Sequence, residues 1–178
     1  MNVPQRYRLL IAILASLAVV VVVVVAVLVA GGGGPNASSS PSPSPSASTD
    51  PTSTPEGAVR AFFEAFAKGR RTDDPSPVEP FVTSKDSSAY KSVAAFLQGQ
   101  KEVGKASVIT SNVLSSFATK LSGQLATVTC TQVLGGYDID VKTGQPRESP
   151  TVLPPTTFRV ELKQINGRWQ VDSFEAQQ

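Results

Sequence analysis

The stretch Phe158-Arg159-Val160-Glu161-Leu162-Lys163-Gln164-Ile165-Asn166-Gly167-Arg168-Trp169-Gln170-Val171-Asp172 carries two apolar–polar alternations on either side of one Asn-Gly pair. Alternation at every second residue marks a strand with one buried face, because successive side chains point to opposite sides of a sheet. Asn-Gly is the preferred pair for a two-residue type I′ turn, in which both residues take positive φ. Pairing outward from that turn sets Gln164 against Trp169, Leu162 against Val171 and Val160 against Ser173. Phe158, Val160, Leu162, Trp169 and Val171 then share one face. Glu161 falls opposite Asp172 on the other, a like-charge pair that solvent screens.

Upstream of this hairpin the same period recurs. In Gln124 to Leu134 the residues Ala126, Val128, Cys130 and Leu134 point one way and Thr127, Thr129 and Thr131 the other. Gly135-Gly136 predicts a bulge or bend, after which Tyr137, Ile139 and Val141 continue the alternation. A β-branched, serine-rich run from Val108 and Ile109 to Phe117 precedes it, with a turn near Ser122-Gly123. Thr143-Gly144-Gln145-Pro146 opens a polar loop that runs to Pro155.

Before Ala106 the period is helical. Thr54-Pro55-Glu56 is a helix start, with a hydroxyl cap, a proline in the first turn and an acid near the positive helix end. Val59, Phe62, Phe63 and Phe66 follow at helical spacing, and Lys68-Gly69 predicts the stop. Pro75, Pro77 and Pro80 leave room only for a short turn around Val78 to Val82. Ser87 or Ser88 caps a further helix with the face Tyr90, Val93, Ala94 and Leu97, ending before Gly99. Helices followed by antiparallel strands define an α+β domain, with the helices packed on one face of a curved sheet.

Two segments carry a family resemblance. Pro55-Glu56-Gly57-Ala58-Val59-Arg60-Ala61-Phe62-Phe63-Glu64-Ala65-Phe66 and Asn166-Gly167-Arg168-Trp169-Gln170-Val171-Asp172 resemble the first helix and final hairpin of the nuclear-transport-factor-2-like superfamily. The resemblance covers about Thr54 to Phe174. It implies a sheet curled into a cone around a pocket lined by helix and strand residues. The functions it implies span isomerases, dehydratases, non-enzymatic binding or dimerisation modules, and extracytoplasmic domains of single-span secretion-system scaffolds.

The other end of the chain has a different solvent. Leu9 to Ala30 is 22 residues without a charge, and a bilayer core needs about 20 apolar helical residues. Arg6 and Arg8 precede it and no Lys or Arg follows until Arg60, so the positive-inside rule places residues 1–8 in the cytoplasm and all that follows Gly31 outside. A cleaved leader, giving a secreted form, is the competing reading, but its apolar region usually runs to only about 7–15 residues. Residues 31–53 are Gly-, Ser- and Pro-rich, with too little apolar surface to offset the ordering entropy. As an extended, disordered linker, Gly31 to Pro55 spans up to ~75 Å. The expected organisation is a cytoplasmic tip (1–8), a single-pass transmembrane helix (9–30), a linker (31–53) and an extracytoplasmic α+β domain (54–178).

Charge and composition narrow the function. The 178 residues hold 16 basic and 14 acidic side chains, with no histidine and one cysteine. With Arg6 and Arg8 set aside, 14 basic side chains face 14 acidic ones from Asp50 onward, so the outer part is neutral and nucleic acid is not an expected partner. Lys68, Arg70 and Arg71 read as a solvated helix end. The missing histidine removes Ser-His and Cys-His nucleophile pairs, and with a single cysteine no zinc site can be built. Asp138 and Asp140 share one side of a strand, read as an exposed polar face in preference to a weak calcium site. Ser88-Ala89-Tyr90-Lys91 with Lys142-Thr143-Gly144 matches two parts of the β-lactamase signature, but the Ser-Asp-Asn element is missing. No catalytic residue, cofactor or metal is expected. The leading expectation is a non-enzymatic, membrane-anchored extracytoplasmic domain for a protein partner, a homodimer or an apolar ligand. Phe62, Phe66, Phe96, Val128, Cys130 and Trp169 are the candidate pocket, with Cys130 buried. A scaffold subunit of a secretion or conjugation apparatus is one alternative. A small isomerase or lyase, using Tyr90 or Tyr137 beside a carboxylate, is another.

Overall fold

A computed structural model describes residues 50–177. The expected transmembrane helix Leu9 to Ala30, and the linker up to residue 49, lie outside the described residues. No helix among those described is long and apolar enough to cross a membrane.

The order of elements is a 3-10 turn at Pro51–Ser53, helix α1 (Pro55–Thr72), a 3-10 helix at Ser76–Phe81, helix α2 (Ser88–Glu102), and strands β1 (Lys105–Ser122), β2 (Leu125–Asp140), β3 (Thr151–Val152), β4 (Thr156–Ile165) and β5 (Arg168–Gln177). The sheet runs β1-β2-β4-β5, antiparallel throughout, with β3 paired to the far end of β2. The α+β class and helices packed on a curved antiparallel sheet agree with the residue periodicities.

Helix α1 starts as its cap residues require. The Gly57 N–H donates to Thr54 Oγ1 at 3.1 Å, which satisfies one of the helix's free first-turn donors. Its buried face includes Ala58, Val59, Phe62, Phe63 and Ala65. The helix runs past the expected stop at Gly69, to Thr72. Asp73 takes the left-handed cap conformation (φ 53°), and the Asp73 and Asp74 N–H groups both donate to the Gly69 carbonyl. Gly69 is therefore where the chain folds back, not where the helix ends. Ser87 caps α2 by accepting from the Tyr90 N–H at 3.1 Å. That helix continues through Gly99 to Glu102 because Gln100 is buried against β1.

Two strand expectations are corrected. Gly135-Gly136 does not interrupt β2. The irregularity falls in the partner strand, where Ile109 pairs with Gly136 and Ser111 with Gly135, leaving Thr110 as the extra residue. In the last hairpin Asn166 and Gly167 take the positive φ expected of them (52° and 79°), and Gln164–Trp169 and Leu162–Val171 pair as expected. Beyond them Asp172 bulges. Glu161 then pairs with Ser173, and Val160 with Phe174 in place of Ser173. The bulge turns Phe174 inward and removes Asp172 from Glu161.

The core lies between the helices and the sheet. Val59, Phe62, Val93, Val128, Cys130, Val160 and Val171 are fully buried within one cluster, and burial of a valine or phenylalanine side chain contributes about 1.5–3 kcal/mol. Pro51–Ser53 also packs here. Thr52 is fully buried, and Arg168 of β5 donates to Thr52 Oγ1 at 2.8 Å and meets Asp50 at 3.2 Å.

Candidate functional site: a phenylalanine cleft with a half-buried arginine

The helical and strand periods bring five aromatic rings to one place. Phe63 and Phe66 stand on one side of α1, and Arg70 follows Phe66 one turn later. Ser92 and Phe96 repeat that spacing on α2. Gln132 and Leu134 of β2, Thr156 and Phe158 of β4, and Phe174 of β5 complete the wall with Leu153 and Pro154. Together they enclose a cleft of about 340 Å³, at the lower end of the about 300–1,000 Å³ common for small-molecule sites. Phe66 meets Phe96 edge to face with centroids 5.5 Å apart, and Phe63 meets Phe158 at 5.1 Å. Phe96 is 43% exposed at the rim.

A second lobe of about 180 Å³ shares Arg70, Leu134 and Leu153 with the first and is otherwise more polar, with Ser107, Tyr137, Asp138, Glu148 and Thr151 in its wall. The segment after β2 lies beside it. Leu153 N–H donates to the Leu134 carbonyl, and Arg147 N–H to the Asp138 carbonyl, each at 2.8 Å. The Arg147 guanidinium donates to the Gly104 carbonyl and to Asp140 Oδ2, also at 2.8 Å.

The charges between the two lobes form a chain. Asp138 accepts from Lys105 Nζ at 2.5 Å and from Ser107 Oγ at 2.6 Å, and Gln100 Nε2 donates to Ser107 Oγ at 2.6 Å. Burial pushes the Asp138 carboxyl up, but its bonds to Lys105 and Ser107 and the field of Lys105 and Arg70 outweigh it, and the carboxyl sits below its ordinary range. Arg70 donates to Ser107 Oγ at 3.3 Å and lies over the Phe96 ring at 4.9 Å. Its Nε is buried without an acceptor. Burial pulls its pKa down, against the attraction of Asp138, and a guanidinium stays protonated regardless.

Of the six residues proposed from sequence, Phe66 and Phe96 line the cleft. Phe62, Val128 and Cys130 are fully buried and Trp169 nearly so, all within the packed core. Phe63, Phe158, Phe174 and Arg70 were not among the six. Phe158 sits on the face that alternation assigns to the core. Phe174 is turned inward only by the bulge at Asp172. Arg70, read from sequence as part of a solvated end, is held in by Phe96 and Ser107.

The alternative chemistries find little geometry. The Tyr90 hydroxyl donates to Glu79 Oε1 at 3.5 Å away from the cleft walls. Tyr137 and Asp138 line the polar lobe, with Asp138 committed to Lys105 and Ser107. Asp138 and Asp140 are part of ion pairs, not an open polar face. Among the described residues no group of three or more metal-ligating side chains converges.

An α+β domain with helices over a curved sheet and an apolar cleft between them is the class these observations define. No protein-family model matches the sequence, and comparison with curated proteins finds no match. Among solved structures, the intermembrane space region of the chloroplast protein ARC6 aligns with a TM-score of 0.53 at 14% identity, over 68% of this chain and 92% of that one. A single-site variant of Rv3472, a protein of unknown function from Mycobacterium tuberculosis, aligns at 0.48 and 11% identity, over 67% and 69%. A nuclear-transport-factor-2-like protein from Shewanella oneidensis aligns at 0.45 and 10% identity, over 69% and 98%. At these identities the likeness is one of fold.

Proposed function

We propose that the chain is a non-catalytic binding module, anchored in the cell membrane through Leu9 to Ala30, whose outer domain holds a small, largely apolar ligand between α1, α2 and the sheet. One observation carries this reading: five phenylalanines from four elements (Phe63, Phe66, Phe96, Phe158 and Phe174) line one open cleft instead of filling it. Protein interiors are otherwise close-packed, so an apolar concavity with a polar group at one end is the default place for a ligand. The absence of histidine from the chain and the engagement of Asp138 with Lys105 and Ser107 leave the apolar lobe without a general base, which favours binding over catalysis.

The test is occupancy of the cleft by a neutral apolar dye. Nile red added to the full-length protein in nanodiscs should give protein-dependent resonance shifts at Phe63, Phe96 and Phe158. Thr156→Trp, which fills the cleft from its rim, should abolish them. Shifts unchanged in that variant would overturn the reading. Retention of the anchor is checked by the mature N-terminus, since a protein beginning near Gly31 is secreted.

A further inference from the structure

Arg70 is the residue that the packing does not account for. It belongs to both lobes of the cleft, yet among the described residues no carboxylate lies within ion-pair distance of it. The nearest candidate, Asp138, spends Oδ2 on Lys105 and Oδ1 on Ser107. What holds the guanidinium is one long bond to a hydroxyl and the face of Phe96, and its enclosed Nε–H has no acceptor. Arg70 is half-buried, and drawing a charged side chain even part-way out of water is costly unless an opposite charge replaces the water. Lys105 and Arg70 both act on Asp138, while Asp73, the further carboxylate of this cluster, faces Lys101 and Lys105 and makes no ion pair with Arg70. Glu148, the other carboxylate lining the polar lobe, is exposed and accepts from the Asp138 N–H at 3.4 Å.

We infer that the ligand is a small amphipathic monocarboxylate, its apolar body among the phenylalanines and its carboxylate on the Arg70 guanidinium where the two lobes meet. The planar fork of an arginine suits a carboxylate, which can accept two parallel N–H bonds. The Phe96 ring lies under the guanidinium carbon at 4.9 Å, which holds the fork near the place where the ligand arrives. The neighbouring Arg71 is exposed and lies outside the apolar lobe, so position in the cleft, not basic charge as such, makes the difference. This inference rests on the reading of the cleft as a ligand site and adds the charge of the ligand to it.

The two can fail separately. Binding of 1-naphthylacetate and of its neutral amide, 1-naphthylacetamide, to the full-length protein in nanodiscs is measured by calorimetry at pH 7. The acid should bind about tenfold or more tightly than the amide, the size expected for one charge-assisted contact in a part-buried site. Arg70→Gln should bring the acid to the level of the amide, and Arg71→Gln should leave the preference intact. Equal affinity of the wild-type protein for both probes would overturn the carboxylate inference and leave the cleft standing. Binding of neither probe would overturn both. The comparison of probes on the wild-type chain needs no variant, so a misfolded Arg70→Gln protein would not protect the inference.

Discussion

The ammonium of Lys163 meets the carboxylate of Asp172 at 2.9 Å across the last hairpin, where unbroken alternation would have set Asp172 against Glu161. The bulge that makes this possible leaves Asp172 without a residue opposite, and Thr83 also reaches it, its hydroxyl donating to Oδ1 at 2.7 Å. One irregular residue thus exchanges a repulsion for an ion pair and ties the segment before α2 to the sheet.

Asp172 should therefore help to set the acid limb of stability. Burial pushes its carboxyl up, but the Thr83 hydroxyl and Lys163 prevail and hold it below the ordinary range. A depressed carboxyl adds stability that is present above its unfolded value, about 3.9, and is lost as pH falls through the folded value. Asp172→Asn should cost about 1 kcal/mol near neutrality and flatten the acid limb of a urea-midpoint profile. Thr83→Val should shorten the same limb. An unchanged profile in both variants would separate the bulge from acid stability.

How much of this is legible in the sequence turns on where the chain keeps strict period. Asn166-Gly167 has one good conformation, and Leu162 and Val171 follow from it by counting. A bulge breaks the count, so alternation reads everything beyond Asp172 one residue out of phase and misses Phe174. Phe66 is found because it continues the helical spacing of Val59, Phe62 and Phe63, whereas Phe96 lies beside the face of Tyr90, Val93 and Leu97 and comes from its aromatic character alone. Arg70 is not found, since a guanidinium near a helix C-terminus is usually solvated. Only the tertiary placement of Phe96 and Ser107 shows otherwise.

Cys130 should be inert while the domain is folded. It is fully buried, and burial pushes its thiol up to about 11, with Arg60 opposing. Labelling by a disulfide reagent at pH 8 should follow global unfolding and vanish on the timescale of native mixing. Because the thiol ionises first in the unfolded chain, from about 8.5, stability should fall as pH rises from there toward about 11. Cys130→Ala should remove that slope at a cost of about 1 kcal/mol. Rapid native labelling would contradict the buried placement.

Gly57→Ala should destabilise although helix propensity alone favours it by about 1 kcal/mol. A Cβ at Gly57 would overlap the Pro51 carbonyl oxygen and press on Thr54 Oγ1, both backbone and cap. The Pro51–Ser53 turn must then move, and with it buried Thr52 and its bond from Arg168. A net loss of about 1–2 kcal/mol is expected, with faster amide exchange at Thr52 and Ser53. An unchanged or raised melting temperature would mean that the turn contributes nothing to the domain.

The segment that borders the polar lobe offers the most direct local readout, through Asp140. Its carboxyl is drawn down to about 2, chiefly by the bond from Arg147 and then by the Thr143 N–H, against an upward push from burial. Arg147 at the same time donates to the Val103 and Gly104 carbonyls, so one guanidinium joins the end of α2 to the turn after β2. Arg147→Gln should return Asp140 toward its ordinary value of about 3.9, read by carbon-detected titration of the carboxyl. Amide exchange should quicken at Asp140 and Arg147, whose backbone N–H bonds to the Gln145 and Asp138 carbonyls would lose their anchor. Leu153, held independently by the Leu134 carbonyl, should keep its protection. If Leu153 loosens as well, the segment moves as one piece and the cleft is gated from Arg147. If only residues 140–147 loosen, the apolar lobe is bordered by a fixed wall and access to it is set at the Phe96 rim.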